Sequence, residues 1–205
     1  MTDIEWIFFD IGSTLVDEGE CYKARYREAV VGMDITVEDF EKKVLEFSKQ
    51  NKKGDHEAAK YYGIHLPPWH KEKERLYTDA EFVLKKLVHR GYKIGIIANQ
   101  SPGTRERLTD WGIIRYIDLV FASAEGGVAK PDIEIFNRAL SKAKCLPKNA
   151  VMIGDRLDND ISPAKSIGMK TVWIKQGLGG LASVMSESEK ADYEVFNLPE
   201  LLALF

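Results

Sequence analysis

The 205-residue sequence has little of what marks several specialised protein classes. Its two cysteines, Cys21 and Cys145, are too few for a disulfide framework and lack the spacing of a metal-binding pair. No apolar stretch approaches the ~18 residues that a membrane-spanning helix requires, and the apolar run near the N-terminus is too short for a signal peptide. We therefore expect a cytoplasmic protein with reduced thiols and no membrane partner.

The sequence also lacks a large excess of either charge. Its 29 Lys and Arg residues against 32 Asp and Glu residues give a net charge of −3, which provides no electrostatic basis for binding nucleic acid. The 44% hydrophobic and 30% charged content is typical of a globular protein, and the length suits one domain with or without a small insertion. A monomer and a homodimer are equally compatible with these values.

Short apolar runs alternate with helical patterns along most of the chain. Runs of this length fit strands that are buried on both faces, as in a parallel sheet. They span residues 6–9, 92–99, 118–123, 150–155, 171–174 and 193–196. The alternation predicts an α/β fold with a doubly wound, mostly parallel, Rossmann-like sheet.

Residues 18–78 depart from this alternation, because Lys, Glu and Tyr dominate and no strand-like run occurs. The segment predicts short helices, one capped by Thr36 and another capped by Asp55. We therefore predict a core domain formed by residues 1–17 and 79–205, with residues 18–78 as a small helical insertion. The insertion is either a lid over the edge of the sheet or a structural appendage.

Polar side chains stand where the predicted strands end. The carboxyl ends of parallel strands meet at one edge of the sheet, where ligands bind. Several carboxylates brought together there repel one another unless a cation neutralises them, and oxygen ligands without His or Cys suit Mg²⁺. The residues expected at this edge are Asp10, Thr14, Asn99, Ser101, Lys130, Asp155, Asp158 and Asp160. They predict metal-assisted chemistry on a phosphate or a carboxylate, although an isolated Asp10 would equally fit a turn cap.

Four segments resemble, in order and spacing, the four motifs of the haloacid dehalogenase-like (HAD) hydrolases. The segments are Asp10–Leu15, Ile97–Asn99, Lys130–Pro131 and Gly154–Asp160. The resemblance implies a HAD-like core, with residues 18–78 as a helical cap inserted after the first strand. It also implies a Mg²⁺-dependent phosphatase that acts on a small phosphorylated molecule.

The resemblance assigns a role to each matching residue. Asp10 would be the nucleophile that attacks phosphorus to give an aspartyl-phosphate. Asp10 and Asp155 would bind Mg²⁺ through their carboxylates, and Gly12 through its backbone carbonyl. Lys130 would steady Asp10 and the transferring phosphoryl group.

Three further residues would have supporting roles. Asp160 would hold the waters of the metal ion, or Lys130. Thr14 would be a structural hydroxyl of the loop that follows the first strand. Asp158 would be a solvated turn residue.

Two positions depart from the family pattern. Gly12 replaces a second Asp that protonates the leaving group in the family's phosphatases, and a positioned acid contributes about 10²–10⁴-fold to the rate. Ala98 replaces a Ser or Thr that donates to a phosphoryl oxygen. Asn99 and Ser101 would stand in for that donor.

These departures leave alternatives open. A substrate with a good leaving group needs little protonation, or a residue near the cap supplies the acid. The candidate acids are His56, His65, His70, Asp17 and Glu18. The family's dehalogenases and phosphonatases also lack the second Asp, but the dehalogenases work without metal, and the intact acidic fourth motif favours a phosphatase. The alternative from another class is a degenerate protein that binds a phosphorylated ligand or a protein partner without turnover.

Overall fold

The apolar runs of the sequence form the strands of one sheet in a computed structural model, which describes residues 3–205. In chain order, the strands and helices are β1 (Trp6–Phe9), β2 (Val16–Asp17), α1 (Gly19–Ala29), α2 (Val37–Lys49), α3 (Gly54–Tyr62), β3 (Arg75–Leu76), α4 (Ala80–His89), β4 (Lys93–Ala98), α5 (Thr104–Asp110), β5 (Leu119–Ala122), α6 (Ser123–Gly126), α7 (Ile133–Ala143), β6 (Ala150–Gly154), α8 (Ser162–Ser166), β7 (Lys170–Ile174) and β8 (Tyr193–Val195). The six-stranded sheet has the order β5-β4-β1-β6-β7-β8, and every neighbouring pair is parallel. The predicted α/β class is confirmed.

The central strand β1 is apolar on both faces because helices cover both sides of the sheet. Ile7 and Phe9 belong to a core cluster that includes the buried residues of α4. Trp6 and Phe8 point to the opposite side, into a second cluster with the buried residues of α7. All four side chains are buried, which fixes the strand in the middle of the molecule.

The order of the strands places a binding crevice at the end of β1. From β1 the chain continues to β4 and β5 on one side, and it later adds β6, β7 and β8 on the other side. Ligands bind at such a reversal, beyond the carboxyl ends of the strands. Asp10 follows β1 and Asp155 follows β6, and the Asp10 N–H donates to the Ile153 carbonyl at 2.9 Å.

Helices α1, α2 and α3 pack together around a hydrophobic cluster of their own. The buried members of this cluster are Tyr26, Phe40, Val44, Ala58 and Ala59. Thr36 caps α2 as predicted, because its hydroxyl accepts from the Asp39 N–H at 3.1 Å while the Asp39 carboxylate accepts from the Thr36 N–H at 3.2 Å. Within residues 3–205, no helix combines the length and the apolarity needed to cross a bilayer.

Two features of the insertion differ from the prediction. Asp55 does not cap α3, which begins at Gly54; its carboxylate instead accepts from Arg25 Nη1 at 2.8 Å and joins α3 to α1. Strands β2 and β3 form an antiparallel ribbon, which periodicity cannot reveal in strands of two residues. The ribbon pairs the two chain segments that connect α1–α3 to the sheet. The boundaries between core and cap remain a prediction.

Candidate active site

The chain reverses direction immediately after β1. The Ile11 carbonyl accepts from the Leu15 N–H at 2.9 Å and from the Val16 N–H at 3.0 Å, and Ser13 has a φ of 52°. This tight turn brings the start of α1 back towards the end of β1. As a result, Ser13 Oγ donates to Glu18 Oε2 at 2.9 Å.

Three carboxylates and one ammonium group converge beyond β1 and β6. Lys130 Nζ donates to Asp10 Oδ1 and to Asp160 Oδ1, each at 2.6 Å. One carboxylate oxygen each from Asp10, Asp155 and Asp160 lie within 4.8 Å of one another. The sequence therefore placed these four residues correctly at one edge of the sheet.

Burial and the neighbouring charges together set the pKa values of this cluster. Burial raises the pKa of Asp155 well above its usual value, and the charges of Asp160 and Asp10 raise it further. Burial also raises the pKa of Asp160 to about 6, although the Lys130 ammonium counteracts the shift. Burial disfavours the charged form of Lys130, but Asp10 and Asp160 outweigh it and raise the pKa of Lys130. Lys130 is therefore a permanent cation at neutral pH.

The carboxylates fit a divalent cation. The Asp155 carboxylate is buried, yet it accepts no hydrogen bond from any residue in the range 3–205. A buried charge without a partner is costly, and one ammonium cannot balance three carboxylates. Oxygen ligands alone suit Mg²⁺. Asp10, Asp155 and the backbone of Gly12 line the same cavity and would hold such an ion.

The other predicted site residues are arranged differently. Asn99 lines the cavity, but its side chain bonds to the backbone of Lys130, donating to the carbonyl at 2.8 Å and accepting from the N–H at 2.7 Å. Asn99 thus positions Lys130. Ser101 does not line the cavity with Asp10; it lies in an adjoining cleft, where its hydroxyl accepts from Lys71. The buried Thr14 hydroxyl has no hydrogen-bond partner within residues 3–205.

Of the five candidate acids, Glu18 is the one that lines the cavity with Asp10. Its Oε1 atom lies 2.7 Å from the point that a Cβ atom on Gly12 would occupy, so its carboxyl fills the space left by the missing side chain. Burial raises the pKa of Glu18 to about 7, with the Ser13 hydrogen bond lowering it and the Asp10 charge raising it.

The remaining candidate acids are directed elsewhere. His65 and Asp17 are exposed, and the Asp17 carboxylate accepts from the Gly19 N–H. His56 is exposed in the adjoining cleft. His70 pairs with Glu28 and Glu72 and does not line the cavity.

The sequence did not single out several residues of the cavity wall. The cavity has a volume of about 180 Å³, which suits a small molecule. On the cap side it is lined by Ser48, Asn51, Lys52, Lys53 and Gly54, and on the core side also by Gln100, Arg156 and Asn159. Asp158 is not merely a turn residue, because its carboxylate accepts from Arg156 Nε at 3.0 Å and from Nη2 at 2.6 Å. No motif marks the cap residues, since their position depends on how α2 and α3 pack over the sheet.

Comparison with known proteins agrees with this geometry. The family described as haloacid dehalogenase-like hydrolase matches residues 7–174. The chain is 30% identical to a glyceraldehyde 3-phosphate phosphatase of Pyrococcus furiosus over 224 aligned positions, covering 98% of this chain and 93% of the relative. It is 35% identical to a phosphoserine phosphatase of Thermus thermophilus over 104 positions, covering 50% of this chain and 42% of that relative.

Solved structures share the fold. A HAD phosphatase from Thermococcus onnurineus superposes with a TM-score of 0.67 at 27% identity, covering 98% of this chain and 97% of the other. A dehalogenase superposes with a TM-score of 0.70 at 19% identity, covering 100% and 98%. One fold thus carries more than one reaction, and the chemistry has to be argued from the site. Together with the four motifs and the convergence of Asp10, Lys130, Asp155 and Asp160, these matches show that the chain belongs to the haloacid dehalogenase-like hydrolase family.

Proposed function

We propose that this protein is a Mg²⁺-dependent phosphatase of a small phosphorylated metabolite, with Asp10 as the nucleophile. The observation that carries the proposal is the environment of Asp10. Lys130 is bonded to Oδ1, Oδ2 has no hydrogen-bond partner within residues 3–205, and the unpaired carboxylate of Asp155 lies beside it. The phosphatases among the similar proteins support the same reaction class.

The reaction would have two steps. In the first, an Asp10 carboxylate oxygen forms a bond to phosphorus, the bond from phosphorus to the leaving oxygen breaks, and that oxygen takes a proton. In the second, water attacks phosphorus, the aspartyl oxygen leaves as carboxylate, and the water gives up a proton. Lys130 holds Asp10 in place and adds positive charge where the phosphoryl group passes. Mg²⁺, when bound, neutralises negative charge on the phosphoryl oxygens.

Glu18 would supply the proton that the leaving oxygen takes and would accept the proton that the water gives up. Its carboxyl gives a proton to the leaving oxygen in the first step and, as a carboxylate, accepts one from water in the second. The support is positional, because Glu18 occupies the space beside Gly12 and is bonded to Ser13 in the turn after β1. A pKa of about 7 leaves the group able to give and accept a proton at neutral pH.

The test is Mg²⁺-dependent release of phosphate from p-nitrophenyl phosphate and acetyl phosphate. Asp10→Asn is expected to lower the rate by at least about 10³-fold, because the nucleophile is removed. Asp110→Asn is the matched control, since it makes the same change at an exposed aspartate at the end of α5, outside the cavity. If no phosphoester is hydrolysed while phosphorylated ligands still stabilise the protein, the protein is a binder and the proposal fails.

A further inference from the structure

The part of the cavity wall that α2, α3 and their connection form offers hydrogen-bond donors that the protein leaves unused. Helix α3 has 9 residues and starts at this wall, where Lys53 precedes it and provides no side-chain cap. The first N–H groups of a helix have no acceptor within the helix. Within residues 3–205, no hydrogen bond is made by the N–H of Gly54 or of Asp55. The positive end of α3 therefore faces the cavity.

A buried hydroxyl at the same wall is also unpaired. Ser48, near the end of α2, is 2% exposed, and its Oγ atom has no hydrogen-bond partner within residues 3–205. Ser48 lines the cavity and packs directly against the Cα atom of Gly54, so a side chain at position 54 would collide with the hydroxyl. Buried polar groups are generally satisfied, and this hydroxyl, on a residue that lines the cavity, is not satisfied by any group in the described part of the chain.

The basic side chains around the site also differ in whether they are paired with a carboxylate. Arg25, Arg107 and Arg156, which line the site or its adjoining cleft, each pair with a carboxylate. Lys53 lines both the cavity and the cleft, and it forms no ion pair within the described part of the chain. Gly54 and Asp55 thus present two N–H donors, Ser48 a hydroxyl and Lys53 an ammonium group. These are the groups that bind an anion.

We propose that this wall is a second anion site, and that the substrate is a phosphorylated molecule whose leaving group carries a carboxylate. The inference rests on the phosphatase function proposed above. Lys130 and the carboxylates beyond β1 would already serve the transferring phosphoryl group at the core side of the cavity. The donors of α3 would bind the other end of the substrate, because they line the same cavity as Asp10 but come from a different part of the chain.

The experiment compares paired ligands that differ by one negative charge. Phosphonoacetate and ethylphosphonate cannot be hydrolysed at phosphorus, so calorimetric titration with Mg²⁺ measures binding without turnover. Phosphoglycolate and 2-hydroxyethyl phosphate are the corresponding substrates. Lys53→Gln is the test variant and Lys60→Gln the control, since Lys60 is an exposed lysine near the other end of α3.

Wild type is expected to bind phosphonoacetate at least about tenfold more tightly than ethylphosphonate, as one charge-assisted hydrogen bond provides that much. Lys53→Gln should abolish most of this preference and raise KM for phosphoglycolate alone, whereas Lys60→Gln should do neither. Ser48→Ala is a second variant that keeps the charge and should reduce the preference by a smaller factor.

Equal affinity for the two phosphonates overturns the inference, as does failure to bind either. A Lys53→Gln variant that weakens both ligands equally also overturns it, because Lys53 would then hold the transferring phosphoryl group. These outcomes are separable from failure of the phosphatase proposal, which is decided by p-nitrophenyl phosphate and Asp10→Asn.

Discussion

The two walls of the cavity differ in how far their polar groups are satisfied. On the core wall, Lys130 is bonded to two carboxylates, and its own backbone is held on both sides by Asn99. On the cap wall, the Ser48 hydroxyl and the first N–H groups of α3 have no acceptor within residues 3–205. Apart from the Asp155 carboxylate and Asp10 Oδ2, which the proposed Mg²⁺ would occupy, the groups of the core wall thus hold one another in place before a substrate binds, whereas the proposed anion would complete the cap wall. Under the two proposals above, chemistry and selectivity would be built from different parts of the chain.

The comparison makes Lys130 the residue whose loss should cost most. Lys130→Met leaves the Asp10 and Asp160 carboxylates without their ammonium partner, which is expected to lower the free energy of unfolding by about 3–5 kcal/mol and to abolish activity. Urea unfolding measures the first effect. Lys170→Met is the control, because Lys170 forms an exposed ion pair with Asp192 and should lose no more than about 1 kcal/mol. Equal losses in both variants would show that the stability of the core wall does not depend on the two Lys130 ion pairs.

The second prediction concerns proton transfer. Glu18→Gln is expected to lower kcat by about 10²–10³-fold for alkyl phosphates and by less for p-nitrophenyl phosphate, whose leaving group needs no proton. A general acid must be protonated, and the pKa of Glu18 is raised to about 7. Wild-type kcat for alkyl phosphates should therefore fall as pH rises above 7, and the variant should lose this limb of the profile.

A double variant separates catalysis by Glu18 from a structural role. Because the Glu18 carboxyl takes up the space beside Gly12, Gly12→Asp alone should disturb the site. Combined with Glu18→Ala, the same substitution has room and supplies a carboxyl at the adjacent position. Partial recovery of kcat for alkyl phosphates is expected. No recovery, with the fold intact by circular dichroism, would count against proton transfer at this place.

The third prediction concerns Asp155, whose effect on thermal stability should change sign when Mg²⁺ is added. Burial and neighbouring charges raise the pKa of Asp155, so its ionisation destabilises the metal-free protein, and this cost builds up as pH rises from the usual pKa of an aspartate towards the raised one. In EDTA, Asp155→Asn should raise Tm above that of wild type by about 2–4 °C at pH 8, the equivalent of ~1 kcal/mol for a chain of this size, and by little near pH 4. With Mg²⁺ the order should invert. A variant that is less stable in EDTA at pH 8 would contradict this.

The smallest change in stability is expected for a substitution in the cap wall. Ser48→Ala removes a buried hydroxyl that has no partner, so the protein should become slightly more stable, by about 1 kcal/mol or less. Thermal denaturation without ligand measures this gain. A loss of stability would mean that the hydroxyl is satisfied in solution, and the difference between the two walls would disappear.

The sequence predicts the core well because its signals are local. Strand β6 lies over Ala150–Gly154, within the apolar run at residues 150–155 that predicts it, since a continuous apolar run marks a strand buried on both faces. The carboxylates of Asp10 and Asp155 were placed correctly because parallel strands deliver their ends to one edge.

The parts that the sequence misses depend on packing between distant segments. The sequence does not distinguish Glu18 from the four other candidate acids. Only the folded turn around Ile11 shows that Glu18 lies beside Gly12. Aspartate is a common helix-capping residue, but the carboxylate of Asp55 instead forms an ion pair with Arg25 of another helix. Ser48 and Lys53 belong to no motif. They line the cavity only because of how α2 and α3 pack in the folded protein.

The ribbon of β2 and β3 has a consequence for how such proteins diversify. The chain leaves the sheet and returns to it through two adjacent, hydrogen-bonded segments, so the ends of the intervening excursion are held at one fixed spacing. A helical unit of different length or surface, grafted between the same two strands, would leave the register of β1 with β4 and β6 untouched. Selectivity can then be exchanged in a single recombination event while the reactive aspartates stay where they are.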